Sequence, residues 1–302
     1  MSDEITTYGG QAVIEGVMMR GSQGVAIAMR APDNNIVIHT ETLSGIYKGK
    51  LIKIPFLRGL IALWDALGLG TRALTISANT QTGEEEEIEG FAMYATLGFS
   101  LAFGVALFFL APALLGGLVE NLIDSDAAAW IGNLLEGLVR LILLIGYIWL
   151  IGRIPDIQRV FAYHGAEHKT INAHEAGADL NPANVVNYSL EHPRCGTAFL
   201  LTLVVFSVII FSLLGPLPIG LRLASRILFI PVIAGIAYEY IRWTARHMDS
   251  SFVRALVKPN LALQHMTTRE PDLDMLEVSI TAFKVMRDQE LRDPAQEQIV
   301  SP

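Results

Sequence analysis

The sequence predicts an α-helical polytopic membrane protein of about four transmembrane helices, with a small β-rich segment at its N-terminus and an amphipathic helix at its C-terminus. Of its 302 residues, 52% are hydrophobic and only 17% are charged, whereas soluble domains carry about 25% charged residues. Long apolar segments fill the middle of the chain, and short runs rich in Val and Ile precede them. These features favour membrane spans beside a small cytoplasmic sheet.

Residues 1–50 are predicted to form the sheet. Val- and Ile-rich runs at 12–19, 25–29 and 36–42 are separated by turn residues, which is typical of short antiparallel strands. Residues 51–90 follow as a helix and an acidic linker. The apolar part between Arg58 and Arg72 falls short of the roughly 20 residues that a span needs, which favours an interfacial or re-entrant helix.

Residues 91–245 are predicted to form the membrane domain, with spans at 91–119, 127–152, 198–214 and 227–243. Lys and Arg are concentrated before the first span, in the 153–197 loop and after the last span, so both termini and that loop are expected on the cytoplasmic side. Arg222 and Arg226, near the outer turn, are the exceptions to this distribution.

Ionisable residues within the spans are functional candidates by default. Glu136 and Arg140 are four residues apart in the second span, which favours a buried ion pair. Glu239 in the fourth span is either functional or paired with Arg242 at the membrane edge.

Residues 246–287 are predicted to be a cytoplasmic segment that contains an amphipathic helix over 271–287. Leu273, Leu276, Ile280 and Phe283 recur with the spacing of one helix face. Residues 288–302 are predicted to be a disordered tail.

The segment "AYHGAEHKTINAHEAG", residues 162–177, carries the strongest chemical signal. His164 and His168 are four residues apart, so a helix places both imidazoles on one face, with Glu167 near them. This H-x-x-E-H pattern is the inverted zincin motif, with two histidine ligands and a glutamate base. The alternative is a solvated polar helix end outside the membrane.

An open tetrahedral metal site needs a third protein ligand. His192 and Cys195 lie directly before the third span and are the leading choices, although Cys195 is equally compatible with a small packed residue. His174 and Glu175 are a second option that is expected to be more exposed, and Glu239 in the fourth span is a third. Arg194 lies between the two leading choices.

Five segments, at 9–21, 163–177, 192–199, 234–242 and 267–284, together resemble the DUF1385 family of bacterial proteins. The resemblance covers nearly the whole chain. It implies a location in the bacterial inner membrane and a metal-dependent enzyme. It also implies shared functional positions, which are His164, Glu167, His168, His192, Arg194 and Cys195, joined by Glu15 and Arg20 in the N-terminal segment.

A membrane-embedded metal-dependent hydrolase, such as one of protease type, is the leading functional hypothesis. His164 and His168 would bind Zn²⁺ or another divalent metal, with His192 or Cys195 as the third ligand. Glu167 would move the proton, and Arg194 would stabilise the oxyanion.

Two other hypotheses remain open. The first is a non-catalytic membrane scaffold or assembly factor with a structural His/Cys cluster. The second is an ion pathway through Glu136, Arg140 and Glu239. The expected partners are the lipid bilayer and other membrane proteins. The net charge of −8 and the absence of a basic face argue against nucleic acid.

Overall fold

The computed structural model describes residues 8–43, 54–82, 91–123, 127–215 and 217–291, with residues 91–93 described as helical backbone. The strands are β1 (Gly9–Val13), β2 (Gly16–Arg20), β3 (Gly24–Arg30) and β4 (Ile36–Thr42). They form an antiparallel sheet in the order β1-β2-β3-β4. The predicted sheet is therefore present, between residues 9 and 42.

The prediction of one strand over 12–19 is wrong, because a tight hairpin interrupts it. Val13 pairs with Gly16, and Ile14 and Glu15 form the turn between β1 and β2. Glu15 adopts a φ of +52°, a left-handed conformation that is uncommon outside glycine. Its carbonyl accepts a hydrogen bond from the amide of Arg30 at 2.8 Å. The run contains no Asn-Gly or Asp-Gly pair that would have marked this turn.

Helices make up most of the remaining described chain. Their bounds are α1 (Leu57–Thr82), α2 (Phe91–Val105), α3 (Ala111–Leu122), α4 (Ala128–Ile151), α5 (Pro155–Glu175), α6 (Pro182–Val185), α7 (Thr197–Leu213), α8 (Ile219–Leu228), α9 (Ile230–Arg246), α10 (Ser251–Thr267) and α11 (Leu273–Leu291). A π-helical turn at Ala106–Leu110 joins α2 to α3.

Three helices are long and apolar enough to cross a membrane, judged by length and composition: Leu57–Thr82, Tyr94–Leu122 and Ala128–Ile151. A fourth is added if α8 and α9, which meet at a bend of 43°, count as one span. α7 is apolar but shorter, at 17 residues. The predicted first, second and third spans match helices. The predicted fourth span starts at the α8–α9 bend, and α1 is longer than its apolar part suggested.

The sheet lies between α1 on one face and α5 with α11 on the other. Met18 of β2 packs with Ala73 of α1, while Val17 and Met19 pack with α5 and α11. This alternation follows from the two-residue period of a strand. We call the sheet with the helices that cover it, α1, α5 and α11, the sheet module.

The predicted C-terminal helix is present as α11. Leu276, Ile280 and Phe283 are buried as expected. Leu273 is 54% exposed, contrary to the prediction, because it begins the helix. The helix runs to Leu291, so residues 288–291 are helical rather than disordered. The predicted tail from 292 and the acidic linker at 83–90 lie outside the described residues.

Candidate metal centre

α5 carries the two histidines of the H-x-x-E-H pattern. The helix begins at Pro155, has Asp156 in its first turn, and is followed by Gly177 with a φ of +71°, all of which are typical of helix ends. The Nδ1 atom of His164 lies 2.9 Å from the carbonyl oxygen of Thr267. The Nδ1 atom of His168 lies 2.5 Å from the carbonyl oxygen of Leu190. Because a carbonyl only accepts, each Nδ1 is the donor in these bonds, and in the neutral imidazole the lone pair then lies on Nε2.

Cys195 meets these two histidines. Its Sγ atom lies 3.2 Å from Nε2 of His164, and one ligand atom each from His164, His168 and Cys195 lie within 4.8 Å of one another. The Nε2 atom of His168 is buried and has no hydrogen-bond partner within the described ranges. Two imidazole nitrogens and a sulfur form a donor set that suits Zn²⁺, so these residues fit a divalent metal.

Glu167 lies beside this three-residue group and is not part of it. Its Oε2 atom is 3.9 Å from Nε2 of His164. Burial raises the pKa of Glu167, and the charge of His164 and a hydrogen bond from the amide of Gly10 offset part of that rise. This carboxyl group therefore holds a proton more strongly than an exposed glutamate.

Gly10 is a site residue that the sequence analysis missed. A Cβ atom at this position would lie 2.6 Å from the carbonyl oxygen of Met18 and 3.0 Å from Cγ of Glu167. Only glycine allows β1 and Glu167 to approach this closely. The Gly9-Gly10 pair at the start of the first resembling segment was the signal that could have identified it.

His192 and Arg194 border the centre. The ring centroid of His192 lies 5.6 Å from that of His168, but His192 is not in the three-residue group. Burial lowers its pKa. Arg194 forms an ion pair with Glu175 and lies 3.3 Å from Nε2 of His192. Of the two choices for a third ligand, the structure brings Cys195 to the histidines, and it directs Arg194 to Glu175.

Glu15, Arg20 and Glu239 lie in ion pairs between elements. Glu15 binds Arg159 of α5 at 2.5 Å, and Arg20 binds Asp65 of α1 at 2.6 Å. Glu239 binds Arg58 of α1, rather than Arg242. The structure does not bring these three residues to the His164–Cys195 group.

The predicted Glu136–Arg140 ion pair is confirmed, at 2.7 Å, and both residues are 1% exposed. Arg226 of α8 donates to the same carboxylate, at 2.9 and 2.6 Å. Arg222 is likewise buried and forms an ion pair with Glu120. Arg222 and Arg226, which were the exceptions to the predicted distribution of loop charges, therefore point into the helical bundle. The carboxylates of Glu120 and Glu136 compensate their positive charges there.

Comparisons with known proteins agree with the resemblance of the five segments. The family model described as "Protein of unknown function (DUF1385)" matches residues 54–289. The Bacillus subtilis (strain 168) protein "Uncharacterized protein YqhQ" is 36% identical over 291 residues, which cover 91% of each chain. No solved structure gives a significant match. The chain belongs to the DUF1385 family.

Proposed function

We propose that this chain is a membrane-embedded, metal-dependent hydrolase of protease type, with its site at the cytoplasmic membrane surface. The observation that carries the proposal is the meeting of His164, His168 and Cys195 within 4.8 Å, with the carboxyl group of Glu167 beside them. Three protein ligands with a neighbouring carboxylate are typical of catalytic rather than structural zinc sites.

In this proposal the metal ligands, the general base and the groups that orient the imidazoles are different residues. When bound, a divalent metal at these three side chains supplies Lewis acidity that makes a water molecule acidic enough to lose a proton near neutral pH. Glu167 accepts that proton and returns it to the leaving group. Its buried position supports this role, because burial raises its pKa above that of an exposed glutamate and so makes the carboxylate a stronger base. The carbonyls of Thr267 and Leu190 hold the imidazoles with Nε2 towards the centre.

The packing of the sheet module supports the membrane placement. The sheet, α5 and α11 share one hydrophobic core, so all three must lie on the same side of a bilayer. The chain must therefore cross an even number of times between the sheet and α5. The α2–α3 helix and α4 give two crossings, whereas a crossing by α1 would make the number odd. Between α5 and α11, α7 and the bent α8–α9 pair again give two.

α1 is therefore an interfacial or re-entrant helix in this proposal, with both of its ends on the side of the sheet. Its C-terminal half packs on the sheet through Ala73. Its N-terminal end reaches α9, where Gly59 lies against Tyr238 and Arg58 binds Glu239. The concentration of Lys and Arg around the sheet module supports a cytoplasmic location at the plasma membrane for that module and for both termini.

Metal content tests the proposal. The detergent-solubilised wild type should purify with about one equivalent of zinc, or take it up after addition, and a His164→Ala/His168→Ala variant should not. His39→Ala is the matched control, because His39 is exposed on the edge strand β4 and does not belong to the three-residue group. Glu167→Gln should keep the metal and lose the hydrolysis of peptide substrates. Full activity in Glu167→Gln, or no metal in the wild type, would contradict the proposal.

A structural metal centre in a scaffold protein is the second candidate, and one observation favours it. His168, Glu167 and Cys195 are almost completely buried, as the ligands of a closed site would be. X-ray absorption spectroscopy of the zinc-loaded protein separates the two candidates. Three protein ligands and one water oxygen favour catalysis, and four protein ligands favour the structural role.

A further inference from the structure

Side chains from α5 and α10 hold the backbone of residues 188–192, directly before Cys195. Each carbonyl in this segment accepts a hydrogen bond from a side chain. The donors are Lys169 to Tyr188 (2.8 Å), Asn172 to Ser189 (2.9 Å), His168 to Leu190 (2.5 Å), Asn172 to Glu191 (3.0 Å) and Gln264 to His192 (2.8 Å). The segment has no helix or strand partner to satisfy these carbonyls, so the side chains fix its path.

Lys169 makes this arrangement unusual. The residue is 3% exposed, and burying an ammonium group is costly unless it is fully compensated. Its Nζ atom donates to the carbonyls of Val186 and Tyr188, both at 2.8 Å, and lies 3.0 Å from a carboxylate oxygen of Glu270. The buried ammonium group of Lys169 thus holds the backbone at Val186 and Tyr188 in place.

The held segment leads directly to the ligand. The carbonyl of His192 accepts hydrogen bonds from Gln264 and from the amide of Cys195, the latter at 3.2 Å. His168 contacts both the held segment and the candidate metal centre. Its Nδ1 atom binds the carbonyl of Leu190, and its Nε2 atom faces the centre. The position of Cys195 and the orientation of His168 are therefore set by the same segment.

We propose that Lys169 and Asn172 are positioning residues that place the sulfur of Cys195 against His164 and His168. Both act through the backbone of residues 188–192. The predicted effect on metal affinity rests on the proposed function, whereas the placement of Cys195 does not.

Asn172→Asp is the most direct test, because it keeps the shape of the side chain and removes both donors. The new carboxylate would face the carbonyls of Ser189 and Glu191. The matched control is Asn187→Asp, since Asn187 is exposed and its amide donates to the carbonyl of Ala183 at 3.0 Å, outside the held segment. Zinc affinity, measured by competition with a chromogenic chelator, should weaken by about tenfold or more in Asn172→Asp and stay unchanged in Asn187→Asp.

A second measurement needs no metal. The sequence has one cysteine, so the alkylation rate of the metal-free protein reports on Cys195 alone. We expect this rate to rise several-fold in Asn172→Asp and in Lys169→Met, and to match the wild type in Asn187→Asp. If Asn172→Asp fails to fold, Asn172→Ala and Lys169→Met carry the same test.

The outcomes separate the two proposals. A wild type without metal, combined with faster alkylation in Asn172→Asp, would remove the metal centre and support the positioning role. Unchanged zinc affinity and unchanged alkylation in Asn172→Asp would overturn the positioning role, even if the variant melted at a lower temperature, because Asn172 would then serve stability alone.

Discussion

Gly10 of β1 lies against the carboxyl group of Glu167 on α5, because a Cβ atom at Gly10 would stand only 3.1 Å from the Cδ atom of Glu167. The first strand of the sheet thereby reaches the catalytic candidate. Since β1 is paired with β2 along its whole length, its backbone limits the position of the carboxyl group without using a side chain. The sheet is thus a part of the site rather than only a neighbour of it.

Replacing Gly10 with Ala should displace Glu167 and leave the metal ligands in place. The new Cβ atom would lie 2.6 Å from the carbonyl of Met18, so we expect a loss of about 1–3 kcal/mol in the free energy of unfolding. Gly9→Ala is the control, because nothing lies within 4 Å of a Cβ atom there. Thermal melting and zinc content of both variants check the prediction, and equal melting temperatures would contradict it.

Replacing Glu136 with Gln should destabilise the helical bundle strongly. Its carboxylate compensates both Arg140 and Arg226, and removing one partner of a buried ion pair costs about 3–5 kcal/mol. Glu41→Gln removes a more exposed pair with Arg72 and should cost less than about 1 kcal/mol. Melting temperatures in detergent compare the two variants. A similarly small fall in melting temperature in both variants would show that Arg140 and Arg226 do not need the charge of Glu136.

Acidification should destabilise the metal-free protein through His192. Burial lowers the pKa of His192 in the folded state below its ordinary value of 6.5, so the unfolded chain binds the proton more strongly. The stabilisation is complete above about pH 6.5 and is lost as the pH falls towards the lowered value. Melting temperatures between pH 7.5 and 5.5, with chelator present, should fall less in His192→Gln than in the wild type. Leu273→Ala, which changes a residue of α11 and leaves His192 intact, should show the same fall in melting temperature with pH as the wild type.

Two leucines of α11 should differ sharply in their effect on stability. Leu276 is 0% exposed in the core between α11 and the sheet, and Leu273 is 54% exposed. Leu276→Ala should lower the free energy of unfolding by about 2–5 kcal/mol, and Leu273→Ala by less than about 0.5 kcal/mol. Equal effects would mean that α11 is not docked on the sheet.

The even number of crossings can be tested by labelling single cysteines in a Cys195→Ser background. An impermeant maleimide added to whole cells should label Ser125→Cys, between α3 and α4, and should spare Ser2→Cys and Ser301→Cys until the membrane is opened. Labelling of one terminus alone would mean an odd number of crossings and would contradict the proposed topology, either because α1 crosses or because α7 or the α8–α9 pair does not.

The sequence was sufficient for the parts of the site that depend on local geometry. The spacing of His164 and His168 places two imidazoles on one helix face in any fold. The choice between His192 and Cys195 could not be made from spacing, because it depends on how the chain turns between α6 and α7. Gly10 could not be connected to Glu167 either, since that contact joins distant parts of the chain.

The errors in the fold have similar causes. The run at 12–19 satisfies the hydrophobic pattern of one strand, and the hairpin inside it rests on the positive φ of Glu15 and its bond to Arg30. α1 continues past Arg72 to Thr82 and packs on the sheet through Ala73, a contact that its composition does not reveal. The predicted fourth span, 227–243, leaves out most of α8, because Arg222 and Arg226 were counted as loop residues.

The packing of α11 on the sheet has a consequence for biosynthesis. β2 and β3 leave the ribosome early, but the helix that covers one of their faces is among the last described parts to be made. Glu290 near its end accepts hydrogen bonds from Ser22 and Gln23 at the β2–β3 turn. The part of that face which α11 covers therefore stays exposed while the intervening helices are made. We expect chains that terminate before Leu273 to be recognised by chaperones or proteases, because α5 alone leaves part of the face uncovered.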